Sequence, residues 1–194
     1  MISFKQAVLA SAFTLSSAVI PQAYAVEESY SIDPAHSFVQ FTIGHLGVSK
    51  TVGRFNKFEG NFQFDKDNSA SNGIELTIET ASIDTNHQKR DDHLRSPDFL
   101  DVKQYPEMTF KSTGFEGSLS SGTLKGELTM HGVTQPVEFK LNQVGEGKDP
   151  WGGYRAGFTA STTVKRSDFG VTYFIPGVSD QTEIAVFIEG IRKK

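Results

Sequence analysis

The feature that most constrains this chain is a period-two alternation of apolar and polar residues that recurs along most of its length. In FVQFTIGH, Val39, Phe41, Ile43 and His45 share one face. KFEGNFQFD groups Phe58, Gly60, Phe62 and Phe64, and IELTIET sets Ile74, Leu76 and Ile78 opposite Glu75, Thr77 and Glu79. The same pattern returns in EMTFKST, TLKGELTM, VEFKLNQV, RAGFTASTTV and TEIAVFIEG. A strand points successive side chains to opposite faces, so alternation bounded by Gly, Asn, Asp and Pro specifies antiparallel β structure with one apolar side. HGVTQP, from His131 to Pro136, reads as the reversal between two of these strands. No repeat, low-complexity block or linker divides the chain.

Eight strands with little helix can close as a sandwich or as a barrel, and periodicity leaves both open. Glycines inside strands (Gly44, Gly53, Gly60, Gly126, Gly157) suit the bends of a barrel. A barrel of eight strands is about the size that holds one small ligand. The inward residues would be Phe41, Ile43, Phe58, Phe62, Phe64, Leu76, Ile78, Phe110, Leu128, Phe139 and Phe158, a nearly continuous apolar sleeve. Filled by its own side chains, the sleeve is a core; partly hollow, it is a tube for a long apolar molecule. Phe outnumbers Tyr sixteen to five, which favours a lipid-like interior because Phe has no polar tip to satisfy. His45 falls on the same face, either as a hydrogen-bonded core residue or as a contact for a polar head group.

The first 25 residues carry one lysine, Lys5, then an apolar run from Ala7 to Ile20, then Ala23-Tyr24-Ala25. That is the pattern of a cleaved secretory signal peptide, with a mature domain from Val26 to Lys194. A periplasmic location follows as the expectation. The formal charge of −4 becomes −5 without Lys5, which gives no basic footprint for nucleic acid. There is no cysteine, so disulfides, thiolate nucleophiles and cysteine-ligated metals are excluded.

HQKRDDHLRSPDFLD, His87 to Asp101, breaks the alternation and reads as a short helix. Thr85-Asn86 is its expected N-cap, and Pro97 limits its extent. His87, Asp91 and Arg95 share one side, Arg90, His93 and Leu94 another, with Leu94, Phe99 and Leu100 as inward anchors. A metal-dependent hydrolase could use His87, Asp91 and His93. Lys89, Arg90 and Arg95 compete for the same carboxylates, however, so a salt-bridged cap is the favoured reading, with no catalytic residue, metal or cofactor. A filled-core domain that binds a protein partner is the third alternative.

DPAHSFVQFTIGHLGVSKTVGRF, SIDTNHQKRDDHLRSPDFLDVKQYPEMTFKST, GELTMHGVTQPVEF and DPWGGYRAGF together resemble the successive signatures of the YceI-like family of secreted bacterial lipid-binding proteins. The likeness covers essentially the whole mature chain, in order. It implies an all-β, eight-stranded antiparallel lipocalin-like barrel with a short helical insertion capping one end. It also implies an elongated cavity for an isoprenoid lipid, polyprenyl or quinone-like, and no catalysis. The residues Arg90, Asp91, His93, Leu94 and Phe99 would then sit at the cavity end. A carrier of this kind is expected to meet the membrane surface transiently. The sequence leaves the lipid's identity and the oligomeric state open.

Overall fold

A computed structural model describes residues 28–65 and 71–194 of the chain; the expected signal peptide lies outside the described residues. Eleven strand segments follow in order: β1 (Glu28–Ile32), β2 (Phe38–His45), β3 (Ser49–Phe55), β4 (Phe58–Phe64), β5 (Gly73–Glu79), β6 (Ile83–Asp84), β7 (Glu107–Ser118), β8 (Ser121–Met130), β9 (Val133–Lys148), β10 (Tyr154–Lys165) and β11 (Val178–Arg192). One helix, α1 (Gln88–Leu94), lies between β6 and β7.

The segments form a ring of eight positions. β1 and β2 both pair with β11, at Gly190–Arg192 and at Val178–Phe187 respectively, so together they make one long interrupted strand. β3 pairs with β2 and β4 with β1, and β6 pairs with β3 and β5 with β4. The second and third positions are therefore also strands with a break in the middle. β7, β8, β9, β10 and β11 complete the ring, each antiparallel to the one before it. The β1–β11 pairing closes it. The protein is an eight-stranded antiparallel barrel with a short helical insertion: the alternation predicts the antiparallel strands, and the barrel is the closure that the resemblance implies.

Local chemistry explains the breaks. Pro34 cannot donate to a ladder, and between β1 and β2 the Asp33 side chain accepts from the Ala35 amide at 3.0 Å. The β3–β4 break at Asn56-Lys57 faces a 3₁₀ turn at Thr80–Ser82, and the two stay tied by Asn56 N to Ser82 O and Glu79 N to Lys57 O. The sequence reading missed β1, β3 and β6. β1 is short, and β3 carries a glycine and an exposed Val52, so neither shows a run of alternation.

Several in-strand glycines make room rather than bends. A Cβ on Gly53 would lie 2.2 Å from the Phe41 ring, and one on Gly126 would lie 2.4 Å from Phe110. Gly157 does sit at a shift of register between β9 and β10, where a bend was expected. Packed against this wall, Tyr30 is fully buried and stacks on Phe62 at 4.8 Å. The β2–β3 turn, the β8–β9 turn, the α1 insertion and the 166–177 loop gather at one end, the helix end. The β7–β8 turn, the β9–β10 loop and the start of β1 lie at the other.

Candidate functional site

Inside the ring the barrel is hollow. A cavity of about 540 Å³ runs from the helix end to the opposite end and is lined overwhelmingly by apolar side chains. That is in the range of small-molecule sites. A filled core would leave no such space, so the reading of the sleeve as a solid core does not hold.

Phe41, Ile43, His45, Phe62, Phe64, Leu76, Ile78, Phe110, Leu128, Phe139 and Phe158 all line the cavity. Phe58 shares their face and is buried, but it is packed in the core outside the cavity wall. His45 does not sit deep in the sleeve; it is exposed, at the rim of the helix end. Further wall residues come from β11, where Ile184, Val186 and Ile188 alternate inward, and from β8, where Leu124 does. These were legible in TEIAVFIEG and TLKGELTM. Arg166, which opens a 3₁₀ turn, and Val171, Tyr173 and Phe174, in the loop after it, carried no periodic signal.

The insertion is built as a cap, with details that differ from expectation. The N-cap is His87, whose Nδ1 accepts from the Arg90 amide at 3.2 Å, instead of Thr85-Asn86. Thr85 turns to Asp91: its amide donates to Asp91 Oδ1 at 2.9 Å, and its hydroxyl donates to the same oxygen. Asp91 is thus buried under the helix and does not line the cavity. Arg90 Nε donates to Thr85 Oγ1 and its Nη2 to Thr85 O, both at 2.7 Å. Arg95 reaches back to the Ala81 and Ile83 carbonyls at 2.8 and 2.7 Å. His93 bonds Asp98 at 2.8 Å and packs edge-on against Phe99 and Tyr173, with ring centroids 5.0 and 5.3 Å away. Arg90, His93, Leu94 and Phe99 line the helix end of the cavity.

This geometry does not assemble the three residues of the hydrolase alternative. His87 is engaged as a helix cap, Asp91 in holding Thr85, and His93 with Asp98, so the three do not converge on one point. Among the described residues, Asp33, His36 and Glu189 do bring their donor atoms within 4.8 Å of one another. The Arg155 guanidinium already fills that role, donating to Asp33 at 2.7 Å, to Glu189, and to Asp149 at 3.1 Å. The Arg155 bond, followed by His36 and the Ala35 amide, holds the Asp33 carboxyl down at about 2, against some burial that works the other way. A cation is built into the cluster, so it is a structural ion network tying the β1–β2 break to β10 and β11.

Charge at the cavity is distributed unevenly. Arg54, Arg95, Arg155 and Arg192 each pair with a carboxylate. The two remaining arginines, Arg90 and Arg166, have none within 4.0 Å among the described residues, and both line the cavity. Arg166 is 4 % exposed and donates to the carbonyls of Val171, Tyr173, Val178 and Ser179 at 2.8–2.9 Å. Burial pulls its pKa below the ordinary guanidinium value, while the charge of Asp180 works in the opposite direction. At the other end, Asn72 lines the cavity, and its buried Nδ2 has no hydrogen-bond partner among the described residues.

A closed antiparallel barrel around one long apolar cavity, capped by a helical insertion, defines a calyx-type architecture. Residues 30–190 match the YceI-like domain, and the chain belongs to that family. A UPF0312 protein of Pseudomonas aeruginosa is 45% identical over 184 residues, covering 94% of this chain and 96% of its own. Among solved structures, BcnA of Burkholderia cenocepacia superposes with a TM-score of 0.75 at 25% identity, covering 81% of this chain and 98% of that one. A polyisoprenoid binding domain from Saccharophagus degradans, implicated in plant cell wall breakdown, shares the fold with a TM-score of 0.63. It is 14% identical and covers 84% of this chain and 98% of its own.

Proposed function

We propose that this protein is a periplasmic carrier of long-chain isoprenoid lipids, polyprenyl or quinone-type, which it holds in the barrel without altering them. The observation that carries this reading is the continuous apolar cavity of about 540 Å³. The polyisoprenoid-binding description of the Saccharophagus degradans neighbour supports it, as does the leader pattern of residues 1–25 for the compartment. The wall gives affinity without chemistry. Burying ten isoprenoid carbons contributes about 8 kcal/mol gross relative to water, roughly micromolar before ordering costs. A bilayer offers the tail a similar environment, so transfer from membrane to barrel is close to balanced, which suits a carrier that loads and releases.

Arg90 and Arg166, lacking carboxylate partners, favour a head group with electron-rich oxygens at the helix end. Organic extraction of the purified protein from a lipid-replete host, followed by mass spectrometry, should release a prenyl lipid. Repeated absence of any prenyl or acyl lipid would sink the reading. For the head group, Arg90→Gln should weaken a long-chain prenyl phosphate about tenfold more than the free prenol, the worth of one charge-assisted hydrogen bond, since any loosening of the cap at Thr85 affects both alike. Equal losses for both would remove the head-group role.

A further inference from the structure

We propose that the helix end of the barrel is a membrane-docking face: the β2–β3 turn and the 173–177 loop enter the bilayer surface, so that cargo passes between membrane and cavity without crossing water. The inference rests on the carrier reading for its purpose but on separate residues for its evidence.

Those residues are Leu46 and Val48 at the turn and Tyr173, Phe174 and Ile175 in the loop, all large, apolar or aromatic, and exposed. Val48 is 82 % exposed, Leu46 55 % and Phe174 54 %. The two segments form one unit, since the Leu46 amide donates to the Gly177 carbonyl at 2.7 Å and the Val178 amide to the Phe174 carbonyl at 2.8 Å.

Backbone geometry marks the same two tips. Leu46 at φ 52° and Phe174 at φ 58° are both in the left-handed region, where a bulky side chain is an outlier. Leu46-Gly47 forms a turn with both central φ positive, the setting in which Asn-Gly is the usual choice. The β8–β9 turn at the same end uses the same geometry with His131-Gly132, a residue type tolerated there. Leucine at the β2–β3 turn therefore places apolar bulk at a tip where solubility and backbone preference both favour Asn.

Position identifies the occupant. The patch is continuous with the cavity, because His45, Tyr173 and Phe174 are at once exposed and part of its wall. A water-insoluble tail must move through that opening, and its source and destination are bilayers. Lys50, in β3 beside the turn, is paired with Glu183 at 2.6 Å, so apolar area is the main attraction the turn offers a bilayer. At the far end Trp151 and Val144 are also exposed, but neither lines the cavity, and Trp151 lies beneath the Arg155 guanidinium at 5.5 Å.

The test uses the chain from Val26 onward, which contains the whole barrel, and flotation with phosphatidylcholine vesicles. The protein should float with these neutral vesicles, undiminished by high salt. Transfer of a fluorescent prenol should speed up as acceptor vesicles are added. The double variant Leu46→Asn, Val48→Ser keeps a favoured turn and touches no wall residue. It should float and transfer about tenfold less well, while its affinity for prenol added in solution is unchanged. Flotation only with anionic vesicles at low salt overturns the proposal, as does a transfer rate independent of vesicle concentration. A dimer that the double variant converts to monomer, without flotation, overturns it in favour of a protein-covered face. Loss of prenol binding by the unaltered protein would instead count against the carrier reading, since flotation is scored without cargo.

Discussion

Phe41 and Gly53 face each other directly across β2 and β3, and each determines what the other can be. The Phe41 ring occupies the volume a side chain at position 53 would need, with Thr85 Cγ2 closing the remaining space at 2.8 Å. The ring lies over the glycine and against Phe55 at 5.8 Å, flattened along the wall instead of projecting across the lumen. Phe110 over Gly126 and Phe62 over Gly190 repeat the device, with would-be Cβ contacts of 2.4 and 2.2 Å. Glycine at these positions thus helps to keep a phenylalanine-rich interior hollow. Gly53→Ala should push Phe41 into the lumen. Urea unfolding should show a loss of about 1–3 kcal/mol, and a long-chain prenol should bind more weakly. Unchanged prenol affinity in a destabilised but folded variant would mean that Phe41 does not control the bore.

At the scale of elements, the buried Asp91 carboxylate joins Arg90 and Arg95 in anchoring the insertion. Asp91 accepts from both the amide and the hydroxyl of Thr85, which fixes the start of α1 to the end of β6. Among the described residues β6 pairs with β3 alone, and β7 pairs with β5, so the chain that leaves the ring at Thr85 spans the gap before β7. Asp91→Ala leaves two buried donors unpaired, at a cost of about 1–3 kcal/mol for each. Amide exchange over residues 85–95 should accelerate, and bound lipid should leave faster, while exchange in β8, β9 and β10 stays slow. Uniformly faster exchange would show that Asp91 supports the whole barrel and not the cap. The cap's existence was legible in His87–Asp101, because a charged stretch without alternation cannot form barrel wall. Its cap residue was not, since His87 Nδ1 is a less common N-cap acceptor than Thr or Asn. The wall was legible for a local reason: alternation is set by neighbours two residues apart. Which inward residues border empty space depends on how distant strands close, so Phe58 and Phe62 looked alike in sequence and differ in the fold. Arg166 and Tyr173 had no sequence signal, because their positions follow from the loop's packing on Phe99, whose ring lies 5.9 Å from the Arg166 guanidinium and 5.2 Å from Tyr173.

For the whole molecule, a hollow core has an energetic consequence. Wall side chains facing the lumen lack partner atoms on one side and forgo the dispersion contacts a packed interior supplies. Stability must then come from ring closure, from the stacked Tyr30–Phe62 pair at the seam, and from the Arg155 network that ties the β1–β2 break to β10 and β11. Cargo supplies the missing contacts and binds only the folded barrel, so loading and folding are linked. At a free lipid concentration of about 100 Kd, that linkage adds about 2.7 kcal/mol. For a domain of this size each kcal/mol raises the melting temperature by about 2–4 °C. Removing the bound lipid should therefore lower Tm by about 5–10 °C, and adding back a long-chain prenol should restore it. A prenol too short to fill the lumen should restore less, because it leaves part of the wall without contacts. Phe41→Asp places an unpaired carboxylate in that wall and should abolish the lipid-dependent part of Tm, provided the variant keeps its β-sheet circular dichroism. Identical melting of the lipid-free and reloaded wild-type protein would mean that the cavity does not take its stabilising contacts from a guest.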